Sequence, residues 1–269
     1  MPDEWRQKIR EYCDKYNIPL IYLAETMYEP KVIPMIRGKA FEFSAMMALQ
    51  EKLPADAWTI DKPFMNAQAG FHDVDIKVLH KDTNTVVRVE CKLAGKGSYK
   101  LFPDGHSEIK VKCMRSRTLG TARVAEWAPR LGVSREVLTV HNDQYVRSDF
   151  DVVLSSIGNA FYETDSESGL FEFKPTEEGR AFLEGLGASN SENLRNFAFN
   201  KIYVAKTENI AITSTSGVVC TRKKCQNPNN CGFVPNYPII RFNPGTNRPN
   251  NGWVPIEECL DFFNNFLGR

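Results

Sequence analysis

Two neighbouring stretches of alternating apolar and polar residues constrain the fold of this chain most strongly: His72–Val78 and Val87–Leu93. Side chains along a β-strand alternate between its two faces, so each stretch predicts a strand with one apolar face. The short polar segment between them, Lys81–Asn84, is typical of a turn and therefore predicts an antiparallel hairpin. With the turn centred between Asp82 and Thr83, the numbers of paired residues sum to 165.

The polar face of this predicted hairpin carries a lysine and several carboxylates. Asp75 lies opposite Glu90, and Asp73 lies opposite Lys92. Directly opposed acids repel each other unless a cation lies between them. Carboxylate oxygens suit Mg²⁺, and a neighbouring ammonium can orient water or stabilise charge on a phosphate. The pattern indicates a metal-dependent phosphodiesterase site, and the alternative is the solvent face of an ordinary amphipathic hairpin. A register shift of two residues would make Asp73 the ligand in place of Asp75.

The spacing of Asp75, fourteen intervening residues and then Glu90-x-Lys92 resembles the bipartite active-site motif of the PD-(D/E)XK nuclease superfamily. Members of that superfamily often carry a glutamate on a helix before the first acid, and Glu42 is the matching residue here. The resemblance implies that Asp75 and Glu90 bind Mg²⁺, together with the backbone carbonyl of Cys91. It also implies that Lys92 assists the attacking water and that Glu42 holds a second ion or a metal-bound water.

Periodic patterns along the rest of the chain favour an α/β protein. Predicted helices are Glu4–Tyr16, Gly38–Lys52, Arg115–Leu131, Glu177–Leu186 and Ile256–Leu267, and further predicted strands are Trp58–Phe64, Phe150–Ser156, Ile202–Ala205 and Val218–Cys220. The resemblance implies a restriction-endonuclease-like core, with a central mixed β-sheet flanked by helices and a loop-rich C-terminal region. Since no linker or internal repeat interrupts the sequence, residues 1–269 are expected to form a single domain.

Charge is distributed unevenly along the chain, although the formal net charge is only +1. Residues 77–135 contain thirteen Lys and Arg against five Asp and Glu, a local balance of +8 beside the predicted site. Such a stretch is expected of a surface that follows a phosphate backbone, and the alternative is a solvated face without a partner. The candidate DNA-binding residues here are Lys96, Lys100, Lys112, Arg115 and Arg117.

The segment 226–251 holds eight Asn and five Pro, so it cannot form a regular helix. Asn and Arg side chains can read adenine and guanine in the major groove, which makes Asn247 and Arg248 candidate recognition residues. The alternative is a turn-rich surface segment, because Asn and Pro also dominate turns.

Residues 215–255, which include this segment, also contain three cysteines and a basic run, and this subregion is predicted to recognise DNA or to bind zinc. The candidate zinc ligands are Cys220, Cys225 and Cys231, and the candidate DNA-binding residues between the first two are Arg222, Lys223 and Lys224. Structural zinc normally takes four ligands. The fourth would have to be the distant Cys259 or a histidine from elsewhere, and the alternative is a set of reduced thiols.

Within the superfamily, a compact chain without a phosphate-binding Gly-rich loop most resembles a Type II restriction endonuclease. The resemblance implies a homodimer that cleaves double-stranded DNA at specific sequences, leaves 5′-phosphates, and shares its target with an unbound cognate methyltransferase. Two alternatives are a repair or phage nuclease of the same superfamily and a non-catalytic DNA-binding protein. The charged first residues and the odd cysteine number, seven, predict a cytoplasmic protein without a membrane segment.

Overall fold

Three helices and then five strands open the chain in the computed structural model, which describes residues 4–63, 74–115, 118–189 and 193–267. Its helices are α1 (Glu4–Lys15), α2 (Leu20–Tyr28), α3 (Ile33–Lys52), α4 (Thr121–Arg130), α5 (Arg135–Val140), α6 (Glu177–Gly185), α7 (Leu194–Asn200), α8 (Thr207–Ile210) and α9 (Cys259–Asn264). Its strands are β1 (Trp58–Asp61), β2 (Ile76–His80), β3 (Thr85–Leu93), β4 (Lys100–Leu101), β5 (Ser107–Lys110), β6 (Val152–Ser156), β7 (Tyr162–Thr164), β8 (Phe171–Phe173), β9 (Ile202–Lys206), β10 (Ile239–Phe242) and β11 (Trp253–Pro255).

Six strands form the central sheet, in the order β1-β2-β3-β6-β9-β11. Strand β3 runs parallel to β6, and the other neighbouring pairs are antiparallel. Two smaller sheets contain β10-β5-β4 and β7-β8. The protein is therefore α/β with a mixed central sheet flanked by helices, as the sequence predicts.

Each face of the central sheet is covered by its own hydrophobic core. On one face, Phe41 and Leu49 of α3 and Phe263 of α9 pack against Val89 of β3. The opposite face packs on α6, α7 and the β10-β5-β4 sheet. A third, smaller core joins α4 and α5 to Phe233. Strand β3 pairs with β2 over Thr85–Val89 and with β6 over Val89–Leu93, so the end of β3 extends past β2 along β6.

The predicted hairpin is present in the predicted register. Ile76 pairs with Val89 and His80 pairs with Thr85, so the paired numbers sum to 165. Asn84 in the turn has a φ of 54°, a left-handed conformation that Asn tolerates better than most residues. Cys91 is buried against α3, so its thiol lies in the core as its strand position predicts.

Other predictions of local structure were wrong. The helix predicted from Arg115 begins only at Thr121, because the Arg115 and Leu119 amides donate to loop carbonyls instead of to a helical turn. No strand forms at Val218–Cys220, since the Cys220 amide donates to the Pro228 carbonyl and closes a loop. Helices α2, α5, α7 and α8 and most of the short strands were not predicted, because their patterns are too short to stand out.

Among the described helices, none is both long and apolar enough to cross a lipid bilayer.

Candidate active site and candidate metal centre

Asp75 lies immediately before β2, where the pairing of β2 with β3 ends. Its Oδ2 accepts a 2.9 Å hydrogen bond from the backbone amide of Cys91 in β3, which holds the carboxylate beside Glu90. Burial, and then the negative charge of Glu90, raise the pKa of Asp75 to about 7, while Lys92 acts in the opposite direction. A carboxylate whose charge is this costly gains from any cation that comes close to it.

Glu90, Lys92 and Tyr145 form a closed triangle of polar contacts. Glu90 is 2% exposed. Its Oε1 accepts a 3.0 Å hydrogen bond from the Tyr145 hydroxyl and forms an ion pair with Lys92. The Lys92 ammonium also donates to the Tyr145 oxygen over 3.2 Å. Burial by itself would lower the pKa of Lys92, but the negative charge of Glu90 raises it well above the ordinary value. Lys92 therefore keeps its positive charge inside the protein.

Tyr145 was not predicted to belong to the site. It comes from the loop between α5 and β6, 53 residues from Lys92 along the chain, so no local pattern points to it. Arg115 supports it from behind: its guanidinium lies 5.0 Å from the centre of the Tyr145 ring. The same guanidinium pairs with Asp149 and donates to the Gln144 carbonyl over 2.8 Å. This second layer fixes the ring and thereby the hydroxyl.

Glu42 lies on α3 with its side chain buried. Its carboxylate forms ion pairs with Lys39, at 2.7 Å, and with Lys62. The charge of Glu42 contributes to the raised pKa of Asp75, so the two carboxylates are near enough to interact. Asp75, Glu90 and Glu42 thus form one cluster of interacting carboxylates. Two of them, Glu90 and Glu42, form ion pairs with lysines. Asp73, the alternative ligand, lies outside the described residues.

Some of the basic residues predicted to bind DNA are exposed, and another is buried in an ion pair. Lys96, Lys100 and Lys112 are exposed. The Lys112 amide donates to the Leu93 carbonyl over 3.1 Å, so this lysine lies beside the end of β3 that carries Lys92. Arg115 is instead buried, with 7% of its side chain exposed, and supports Tyr145. Arg117 falls outside the described residues.

The C-terminal candidates lie in two places. Lys223 and Lys224 are exposed, whereas Arg222 forms an ion pair with Asp143. Asn247 and Arg248 follow Phe242, the last residue of β10. The other end of β10, at Ile239, pairs with Lys110. Arg248 forms an ion pair of 2.6 Å with Glu258. Asn247 and Arg248 therefore lie at the far end of the small sheet from Lys112.

A second cluster brings together the three predicted cysteines and one histidine. Ligand atoms of His141, Cys220, Cys225 and Cys231 all lie within 4.8 Å of one another, and the four residues are placed to hold a metal ion. Within the described ranges, no other group of three or more His, Cys, Asp or Glu side chains meets this criterion, and the Asp75 cluster is more open. Burial raises the pKa of Cys231 to about 12 and also raises that of Cys220.

Of the two alternatives for a fourth ligand, a histidine, His141, lies with the three cysteines, and Cys259 does not. Cys259 lies in the core between α3 and the central sheet, away from Cys220, Cys225 and Cys231. His141 ends α5 and lies 79 residues before Cys220, beyond the reach of any spacing rule. The signal in the sequence was indirect: three cysteines leave zinc one ligand short, and four histidines are present to supply it.

Comparison of the chain with models of protein families, with curated proteins and with solved structures found no significant match to any of them.

Proposed function

We propose that this protein is a Mg²⁺-dependent endonuclease that hydrolyses phosphodiester bonds in double-stranded DNA at specific sequences. The observation that carries the proposal is the meeting of Asp75, Glu90 and Lys92 at the end of β3, in the spacing of the PD-(D/E)XK motif. The mixed sheet, with the β2–β3 hairpin, the parallel β3–β6 pair and α3 packed against it, is compatible with a restriction-endonuclease-like core.

The donor set at the end of β3 suits Mg²⁺. The buried carboxylates of Asp75 and Glu90 are hard oxygen ligands. The amide and carbonyl of one strand residue point toward the same neighbouring strand, so the Cys91 carbonyl lies on the side where its amide meets Asp75. Mg²⁺ held by these oxygens would lower the pKa of a bound water and neutralise charge on the phosphate. Lys92 and Lys62 now neutralise Glu90 and Glu42, and they would have to turn toward substrate when the ion binds.

The remaining residues have distinct parts in the proposed reaction. The Lys92 ammonium holds the attacking water and stabilises the negative charge that develops on the phosphate. Tyr145 holds the carboxylate of Glu90, and the Cys91 amide holds that of Asp75. Water attacks phosphorus in line with the 3′ oxygen. A new P–O bond forms, the P–O3′ bond breaks, and the products are a 5′-phosphate and a 3′-hydroxyl.

Exposed lysines next to the end of β3 offer a path for the DNA backbone. Lys110 and Lys112 end the β5 segment and lie against the residues that follow Lys92. Lys96 and Lys100 come from the loop between β3 and β5 and are exposed as well. Ammonium groups in such a row can bind successive phosphates without reading the sequence. The exposure of these lysines, and the contact of the Lys110–Lys112 segment with the end of β3, support a backbone-binding surface beside the proposed chemistry.

Cleavage of both strands calls for two copies of the site, and we propose a homodimer. The surface of α2 and α3 carries large exposed apolar side chains, among them Ile21, Tyr22, Tyr28, Met35 and Met47. Helix α2 buries none of its residues within the described chain. Exposed apolar surface of this extent marks an interaction face in soluble proteins.

Light scattering of the purified protein should give twice the mass of one chain.

The proposed function is tested by incubating the protein with a long DNA of known sequence, with Mg²⁺ or with a chelator. We expect discrete fragments that need Mg²⁺ and whose ends carry 5′-phosphates. A Mg²⁺-dependent smear would indicate cleavage without sequence specificity, as expected of a repair or phage nuclease. Tight binding without cleavage, in a gel-shift assay, would contradict an enzymatic function altogether.

Substitution of Tyr145 tests the triangle around Glu90. Tyr145→Phe removes the hydroxyl that contacts both Glu90 and Lys92 while it keeps the ring on Arg115. We expect Mg²⁺ affinity or activity to fall roughly 10- to 100-fold, as for other residues that orient metal ligands. The measurement is the cleavage rate as a function of Mg²⁺ concentration. Tyr203→Phe is the matched control, because Tyr203 is also buried but packs against Phe242. Equal effects of the two substitutions would contradict the role given to Tyr145.

A further inference from the structure

The His141, Cys220, Cys225 and Cys231 cluster has the composition of a structural zinc site. Three thiolates and one imidazole are a common ligand set for tetrahedral zinc, with ligands about 3.5–3.8 Å apart. The present separations, within 4.8 Å, differ from this by about 1 Å, so small rotations of the side chains suffice. The four groups come from two separate parts of the chain, which a metal would join.

Hydrogen bonds around His141 leave one ring nitrogen for a metal. The Gln144 side chain donates through Nε2 to the Val234 carbonyl over 3.0 Å, which fixes the direction of its amide. Its Oε1 therefore faces His141 and accepts a hydrogen bond from Nδ1. With Nδ1 protonated, the lone pair of the imidazole is on Nε2. Zinc-binding histidines usually donate their other ring N–H in this way. Stacking on Phe233 at 4.2 Å holds the ring plane.

Backbone amides donate to two of the sulfurs. The Arg222 amide donates to Cys220 Sγ over 3.4 Å, and the Phe233 amide donates to Cys231. In each case the donor lies two residues after the cysteine. Such donors stabilise negative charge on sulfur, which is the form of cysteine that binds metals. Cys225 contacts both other thiols and completes the group.

The segment that carries the cysteines has little else to keep it folded. None of the residues between Cys220 and Cys231 is buried, and none belongs to a helix or a strand. Burial of apolar surface therefore contributes little to its order. A metal that closes such a loop supplies the missing free energy, as it does in small metal-dependent domains.

We propose that His141, Cys220, Cys225 and Cys231 bind one structural zinc ion. The ion ties the exposed 221–230 loop, with Lys223 and Lys224 at its surface, to the end of α5. It also fixes the strand-like segment behind the loop, since the Val234 amide donates to the Tyr145 carbonyl over 2.8 Å. Zinc would therefore position Tyr145 from a distance without taking part in any reaction. The proposal does not depend on the proposed nuclease activity.

The test is the metal content of untagged protein, purified under reducing conditions from zinc-supplemented cells and measured by mass spectrometry of the elements. We expect about one zinc per chain in the unaltered protein and in Cys13→Ser, which removes a buried thiol far from the cluster along the sequence. Cys225→Ser and Cys231→Ser should lose most of the zinc. Equal zinc content in these variants and in Cys13→Ser would overturn the proposal.

A second measurement avoids variants that fail to fold. The unaltered protein is stripped of metal and titrated with Co²⁺, which takes the place of zinc and absorbs visible light. Tetrahedral d–d bands together with thiolate-to-cobalt charge-transfer bands at one equivalent would support the proposal. Octahedral spectra, no binding, or a disulfide between two of the three cysteines in the freshly purified protein would overturn it. Zinc binding without DNA cleavage would leave this proposal standing and contradict the proposed function alone.

Discussion

Asp75→Asn is expected to abolish DNA cleavage, lowering the rate by roughly 10³-fold or more, which is at least the cost of removing one strong stabilising group from an active site. Asn keeps the size of the side chain, and its amide oxygen can still accept the hydrogen bond from the Cys91 amide. The charge that a metal ion needs is lost. DNA binding should persist or become tighter, because a negative charge is removed from the path of the phosphate.

The same substitution should leave the metal-free protein as stable as before, or more stable. The charge of Asp75 is disfavoured by burial and by Glu90, so its removal relieves a cost within the fold. Asp61→Asn is the matched control, because Asp61 is exposed at the end of β1 and should affect neither property. A catalytic role predicts lost cleavage at a melting temperature that is unchanged or higher. Lost cleavage with a lowered melting temperature would point to a structural role, and normal cleavage would place the active site elsewhere.

Phe41→Ala is expected to lower the free energy of unfolding by about 3–5 kcal/mol, the range measured for loss of a large buried aromatic side chain. Phe41 is 0% exposed and packs edge-on against Phe199, at 6.0 Å between ring centres, beneath the central sheet. Its neighbour Glu42 belongs to the proposed site, so the same packing sets the position of that carboxylate. Urea unfolding followed by circular dichroism gives the free energy.

Phe43→Ala offers a control on the same helix. Phe43 is 52% exposed, and its removal should change the free energy of unfolding by no more than about 0.5 kcal/mol. Similar losses for Phe41→Ala and Phe43→Ala would contradict the orientation of α3 on the sheet. A large loss for Phe43→Ala alone would instead indicate that this face of α3 is buried in an assembly.

The parts of the fold that were predicted correctly are those with a strong local pattern. The hairpin register follows from strict alternation on both strands and from a four-residue turn, because a slip by one residue would turn every valine to solvent. Strand β6 was equally clear as a run of apolar residues buried on both faces. Helix α2 was missed because a pattern of nine residues is too short to stand out.

The residues of the proposed site that were predicted lie close together in the sequence, whereas those that were not predicted come from distant segments. Asp75, Glu90 and Lys92 lie within one hairpin, so pairing arithmetic brings them together. Tyr145 and His141 reach their clusters only after distant segments have packed, and nothing in their immediate sequence marks them. Arg115 shows the opposite error. It was predicted to bind DNA from its charge alone, but its side chain is buried in an ion pair with Asp149.

The parallel pairing of β3 with β6 determines when the proposed site can be completed during synthesis. The hairpin of β2 and β3 needs only a short loop and can form as soon as both strands have emerged. Glu90, in contrast, waits for Tyr145 and β6, which lie more than fifty residues downstream and must close a long loop. The unfinished chain therefore carries its acids for some time without the contacts that orient them. If the proposed function holds, cleavage of DNA by a nascent chain would be delayed until most of the central sheet has been assembled.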